Sequence, residues 1–103
     1  MSEQIFGTIN ENGGVDVNSG EIISAERTGT GKYKVTFKDQ TFPHTPAVLA
    51  TVHTDEMKAD QSGTNRTISV TNITNNTLEF GIRVASEGNE RSNRPFSFLA
   101  LLS

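Results

Sequence analysis

The heptapeptide KYKVTFK at residues 32–38 sets Tyr33, Val35 and Phe37 on one side of an extended chain, with Lys32, Lys34, Thr36 and Lys38 on the other. An apolar period of two is that of a β-strand with one buried face; a helix would need a period of 3.6. Leu78, Phe80, Ile82 and Val84 repeat the alternation, with Glu79, Gly81 and Arg83 pointing away. Thr, Asn and Gly are abundant and helical periodicity is almost absent, so the sequence predicts an all-β fold.

The remaining apolar runs are short and bounded by turn residues. AVLATVH at 47–53 reads as a strand entered after Pro46, because proline cannot donate within a ladder. RTISVTNIT at 66–74 and EIISAERT at 21–28 read likewise, with Asn75 and Asn76 forming a hairpin turn and TGTG at 28–31 another. Phe42-Pro43 reads as a crossover that does not pair. The first twenty residues form either an extended arm or a short hairpin at Asn12-Gly13. In the last segment, Phe96, Phe98 and Ala100 share one face and Leu99 and Leu101 the other. Both faces then need cover, from the N-terminal arm or from another subunit. Six to seven strands spaced near ten residues predict one antiparallel β-sandwich domain over residues 1–103.

Composition narrows the function classes. The chain has 103 residues, 33% of them apolar, with six Phe, one Tyr and no Trp, so its core is thin and association would stabilise it. A homo-oligomer is expected. The net charge of −3 argues against a nucleic-acid partner, which needs a concentrated positive surface. Without cysteine there is neither a disulfide nor a thiolate site. MSEQIFGTINENGG turns polar within a few residues, which predicts no signal peptide and no membrane insertion and leaves the localisation open.

Catalytic chemistry finds few candidates. The only imidazoles are His44, between two prolines, and His53, at the end of a strand. No nucleophile elbow accompanies His44, which reads as a turn histidine, and the chain reads as a non-enzyme. His53 either meets a ligand or marks the end of a buried segment. Residues 54–65 form a loop long enough to be functional, with Asp55, Glu56 and Asp60. They lack the mid-loop glycine and terminal glutamate of a calcium loop and read as solvated carboxylates, so neither metal nor cofactor is expected. Arg66 and Arg83 either bond sugar hydroxyls or carboxylates, or pair across strands with Glu79 or Asp55. A second polar loop at 86–94 carries Glu87, Asn89, Glu90 and Arg91. It shares an end of the sandwich with residues 54–65 only if the strand order permits.

The run V-x-F-x4-F-x3-P-x-V from Val35 to Val48, Thr54-Asp55, Asn65-Arg66, the N-I-T at 72–74 and a final F-x-F-L-A together resemble the H-type lectin domain over roughly residues 20–102. The resemblance implies a six-stranded sandwich that trimerises and binds galactose or N-acetylgalactosamine near protomer boundaries, with Asp55 and Arg66 at positions similar to the family's acidic and sugar-contacting residues. Glu87, Gly88 and Asn89 stand where family members tend to have an aromatic or histidine platform, and Phe98 where a Trp is usual. The glycine-punctuated leader and the same strand pattern also resemble the C-terminal trimerising modules of phage tail-fibre and bacterial collagen-like proteins. The expectation is a lectin-like homo-oligomer, trimer or hexamer, with ligand contacts from His53, Asp55, Arg66, Glu87, Asn89 and Arg91. Its alternative is a structural assembly protein with no small-molecule site.

Overall fold

The computed structural model describes residues 4–38, 41–53, 66–84 and 90–102. They contain β1 (Gln4–Ile9), β2 (Val15–Asn18), β3 (Ile22–Gly29), β4 (Lys32–Phe37), β5 (Ala47–Val52), β6 (Arg66–Ile73), β7 (Thr77–Val84) and β8 (Phe96–Leu101). Two four-stranded antiparallel sheets, in the orders β2-β1-β8-β5 and β3-β4-β7-β6, pack face to face. The fold is the expected antiparallel β-sandwich, with eight strands instead of six to seven.

The additional strands come from residues 4–18, which form a hairpin and not a loose arm. Asn10 closes the turn: its N–H donates to Gly14 O at 2.8 Å, and its carbonyl accepts from Gly13 N–H at 2.9 Å. The Asn10 side-chain oxygen also accepts from the N–H groups of Asn12 and Gly14. An Asn at a turn start supplies this local bonding without help from the rest of the fold.

Alternation decides what is buried. Tyr33, Val35 and Phe37 of β4 and Leu78, Phe80, Ile82 and Val84 of β7 point inward, as do Phe96, Phe98 and Ala100 of β8. Aromatic rings bridge the sheets: Tyr33 to Phe96 at 5.3 Å, Phe80 to Phe96 at 4.8 Å and Phe37 to Phe98 at 5.9 Å between centroids. Such tilted and edge-on pairs add to burial. Phe42 departs from the expectation of an unpaired crossover. Its ring meets Phe37 at 5.0 Å, and its N–H donates to Asn75 O at 2.8 Å, so it seals the core beneath the β6–β7 turn.

The covering of β8 also differs from the expectation. The N-terminal strand does not lie over Leu99 and Leu101; it pairs beside β8, with Phe6 opposite Leu99 and Gln4 opposite Leu101. On the other flank Leu49 is opposite Leu99 and Ala47 opposite Leu101. Directly opposed residues share a face. Phe6, Leu99 and Leu49 therefore form an apolar row across three strands on the outside of the sheet, where Phe6 is 46% and Leu49 61% exposed.

Candidate functional site

The hairpin turn at 10–14, the turn at Thr30 and Gly31, His53 after β5 and residues 90–94 before β8 all lie at one end of the sandwich. Three contacts tie them together there. The Tyr33 hydroxyl donates to Glu11 O at 2.7 Å, Gly31 N–H to Asn93 Oδ1 at 2.8 Å, and Arg94 Nε–H to His53 O at 3.0 Å. All five arginines gather at this end: Arg27 near the close of β3, Arg66 at the start of β6, Arg83 near the close of β7, and Arg91 and Arg94 before β8.

Arg91 is held by the backbone of β7 and by a glycine. Strand β4 begins only at Lys32, so β7 runs on past its neighbour, and residues 90–92 take the vacated edge. Val84 N–H donates to Glu90 O at 2.9 Å and Ser92 N–H to Ile82 O at 3.2 Å, leaving Arg91 opposite Arg83. Gly31 makes room for this return. Its φ is +68°, and a Cβ there would fall 2.5 Å from Ile82 O and 2.9 Å from the Arg91 Cβ. Both the conformation and the space demand glycine.

Gly81 then opens the floor of a cleft. It sits on the outward face of β7 between Glu79 and Arg83, and a Cβ on it would come within 3.2 Å of Arg91 Nη1 and 3.3 Å of Thr71 Cγ2. The guanidinium of Arg91 thus lies over bare backbone. Around it Thr28, Lys32, Thr71 and Glu79 enclose roughly 230 Å³, below the ~300–1,000 Å³ of pockets for drug-sized ligands. That is room for one small ring. Tyr33 and Phe80 also border the cleft, but their rings point into the core, so no aromatic face is presented.

The charges here are unevenly matched. Glu79 accepts from Asn72 Nδ2 at 3.0 Å, while the side chains of Lys32 and Arg91 have no hydrogen-bond or ion-pair partner among the described residues. Opposed like charges on a sheet face are unfavourable, and Arg83 and Arg91 are directly opposed on the face that Lys32 shares. Arg83 has an interaction of its own, and an anionic or hydroxyl-rich ligand would supply one to Arg91 and Lys32.

The sequence-derived site residues are distributed as follows. Arg91 enters the cleft. Arg66 pairs with Val84 at the same end, on the side of β6 that faces the other sheet. His53 closes β5 on the other sheet, where its Nε2 meets Ser97 Oγ at 2.9 Å and Ser97 in turn meets Thr8 Oγ1 at 2.9 Å. Among the described residues no carboxylate holds the second ring nitrogen of His53. Asp55, Glu87 and Asn89 lie outside the described residues. The pairing of Arg66 with Val84 puts the start of β6 and the end of β7 at the same end of the sandwich. Neither arginine considered for pairing with Glu79 stands opposite it: Glu79 faces Lys34 and Asn72, and Arg83 faces Thr67 and Arg91.

Sequence reasoning missed Lys32, Thr28, Thr71 and Glu79 as a set. The available signal was Gly81, a glycine in the outward phase of an otherwise regular strand, which marks a close approach or a bare floor. Among the described residues no group of three or more His, Asp or Glu side chains converges as a metal site.

A scan against protein-family models finds no match for the chain, and searches of curated proteins and of solved structures find none either. Fold and site together define a two-sheet antiparallel β-sandwich with a polar cleft at its arginine-rich end.

Proposed function

We propose that this chain is a carbohydrate-binding, lectin-like protein that holds glycans through several weak sites presented together by a homo-oligomer. The observation that carries this reading is the cleft over Gly81, where Arg91 and Lys32 donate, Glu79 accepts and Thr28 and Thr71 do both. A sugar ring presents adjacent hydroxyls that each donate and accept, so a small opening lined by both kinds of group suits it. Without an exposed ring to stack on the sugar, a single site binds at around millimolar strength, and useful affinity comes from several copies acting at once. The motif resemblance to H-type lectins points to galactose-type sugars and a trimer or a dimer of trimers.

The test is binding of the purified protein to a multivalent glycan array, with inhibition by free sugar and with Arg91→Ala as the control. Glycan binding that Arg91→Ala removes, at unchanged thermal midpoint, is the expected result; an oligomer that binds no glycan overturns the reading.

A second reading, an assembly protein of the tail-fibre kind, is favoured by the apolar row of Phe6, Leu99 and Leu49 on the outer face of the first sheet. The rows on either side, Gln4–Leu101–Ala47 and Thr8–Ser97–Thr51, are also uncharged, so a copy of the same net charge meets no repulsion there. An oligomer that binds no glycan supports this reading.

A further inference from the structure

We infer that the sugar taken by the Gly81 cleft carries an anionic group, most simply the carboxylate of a uronic acid, seated between Arg91 and Lys32. The inference rests on the carbohydrate-binding reading and specifies its substrate class. A neutral sugar would leave Arg91 and Lys32 without an ion-pair partner among the described residues, whereas a carboxylate supplies one. The planar fork of Arg91 lies over the Gly81 backbone with no partner of its own among the described residues, and it can offer a carboxylate two parallel N–H groups. Lys32 stands opposite Gly81 on the neighbouring strand, along the same edge of β7 that Arg91 takes, and contributes a second charge beside it.

Glu79 then fixes orientation. Its carboxylate is two residues from Gly81 on the same face and is held by Asn72, so it repels the acid group and accepts from the ring hydroxyls. The acid end of the sugar lies toward Arg91 and the hydroxyl edge toward Glu79. Cations at one end of the opening and an anion at the other distinguish an acidic sugar from a simple inorganic anion, which would use only the first half.

The experiment compares multivalent conjugates of glucuronic acid, galactose and sulfated galactose on one array. The wild-type protein is run beside Arg91→Ala, Lys32→Gln and Gly81→Ala, with thermal midpoint and oligomer size recorded for each. The expected result is preferential retention of the glucuronic acid conjugate, weakened by added salt and reduced about 10- to 100-fold by Arg91→Ala. Gly81→Ala, which adds a methyl where the guanidinium lies, should also reduce binding and tests the site if Arg91→Ala fails to fold. Retention of the sulfated conjugate alone assigns the anionic group to a sulfate and overturns the carboxylate assignment. Binding of galactose alone overturns the acidic-sugar inference while leaving glycan binding intact. Binding of none overturns both. Acidic-sugar binding that survives all three substitutions places the site elsewhere and overturns the assignment to this cleft.

Discussion

Tyr33 couples the core to the loop end through one hydroxyl. Its ring is buried against Phe96, and the hydroxyl donates to Glu11 O across from the β1–β2 turn. Burial pushes the phenol above its ordinary pKa of 10.0, with the Arg27 charge acting the other way. The native state therefore favours the protonated form, and that stabilisation is present below pH 10 and lost as pH rises through the raised value. Urea midpoints measured from about pH 8 to pH 11 should fall on the alkaline side, and Tyr33→Phe should flatten that fall while costing about 1 kcal/mol at neutral pH. An unchanged alkaline slope in the variant would assign the fall to other groups. Gly31 is the second position where one residue decides a local structure. Gly31→Ala forces a side chain into a left-handed conformation and against Ile82 O, so urea denaturation should show a loss of more than about 1 kcal/mol. The return of residues 90–92 should loosen with it, and Arg91 binding with it.

At the scale of elements, the alternation along β4 and β7 makes a direct energetic claim. Phe37 and Phe80 are buried and join the two sheets through ring contacts, so Phe37→Ala and Phe80→Ala should each destabilise by about 3–5 kcal/mol in chemical denaturation. Lys34→Ala, on the outward face of β4, should change stability by less than about 0.5 kcal/mol. Equal effects at the three positions would contradict the strand faces. The four edges are also unequal. β2, β3 and β6 each carry a break in register and a charged residue, which blunt an edge against pairing with other chains. β5, with the sequence AVLATV, has neither. The His53 N–H bond to Pro95 O fixes the phase of the β5–β8 ladder, so the backbone groups of Val48, Ala50 and Val52 face the open edge.

For the whole molecule, the outer face of β1, β8 and β5 and the adjoining β5 edge form one uncharged surface on a chain of net charge −3. Sedimentation at micromolar concentration should show a species larger than 11.2 kDa. Leu49→Lys should shift it toward monomer with little change in monomer stability, because Leu49 is already 61% exposed within the chain. A wild-type protein that sediments only as a monomer would remove both the assembly reading and the avidity on which glycan binding depends. The arginine-rich end lies along the strand direction from this face, so association through the sheet leaves the cleft open.

The all-β class, the inward faces of β4, β7 and β8, and a turn before β4, read at 28–31 and found at Thr30 and Gly31, were legible because each depends on neighbours one or two positions away. Period two and the φ preferences of glycine and asparagine are local properties. The N-terminal hairpin was legible only as one of two alternatives, since Asn12-Gly13 marks a turn without saying what pairs beyond it. The cleft was not legible. Arg91 reaches Gly81 because β4 begins only opposite Gly81, short of the end of β7 at Val84, and residues 90–92 fill the vacated edge, an arrangement set by non-local backbone pairing. Lys32, Thr71, Glu79 and Arg91 lie far apart in sequence and close in space, and only the packing of strands in a particular order could bring two cations and one held carboxylate around the same glycine.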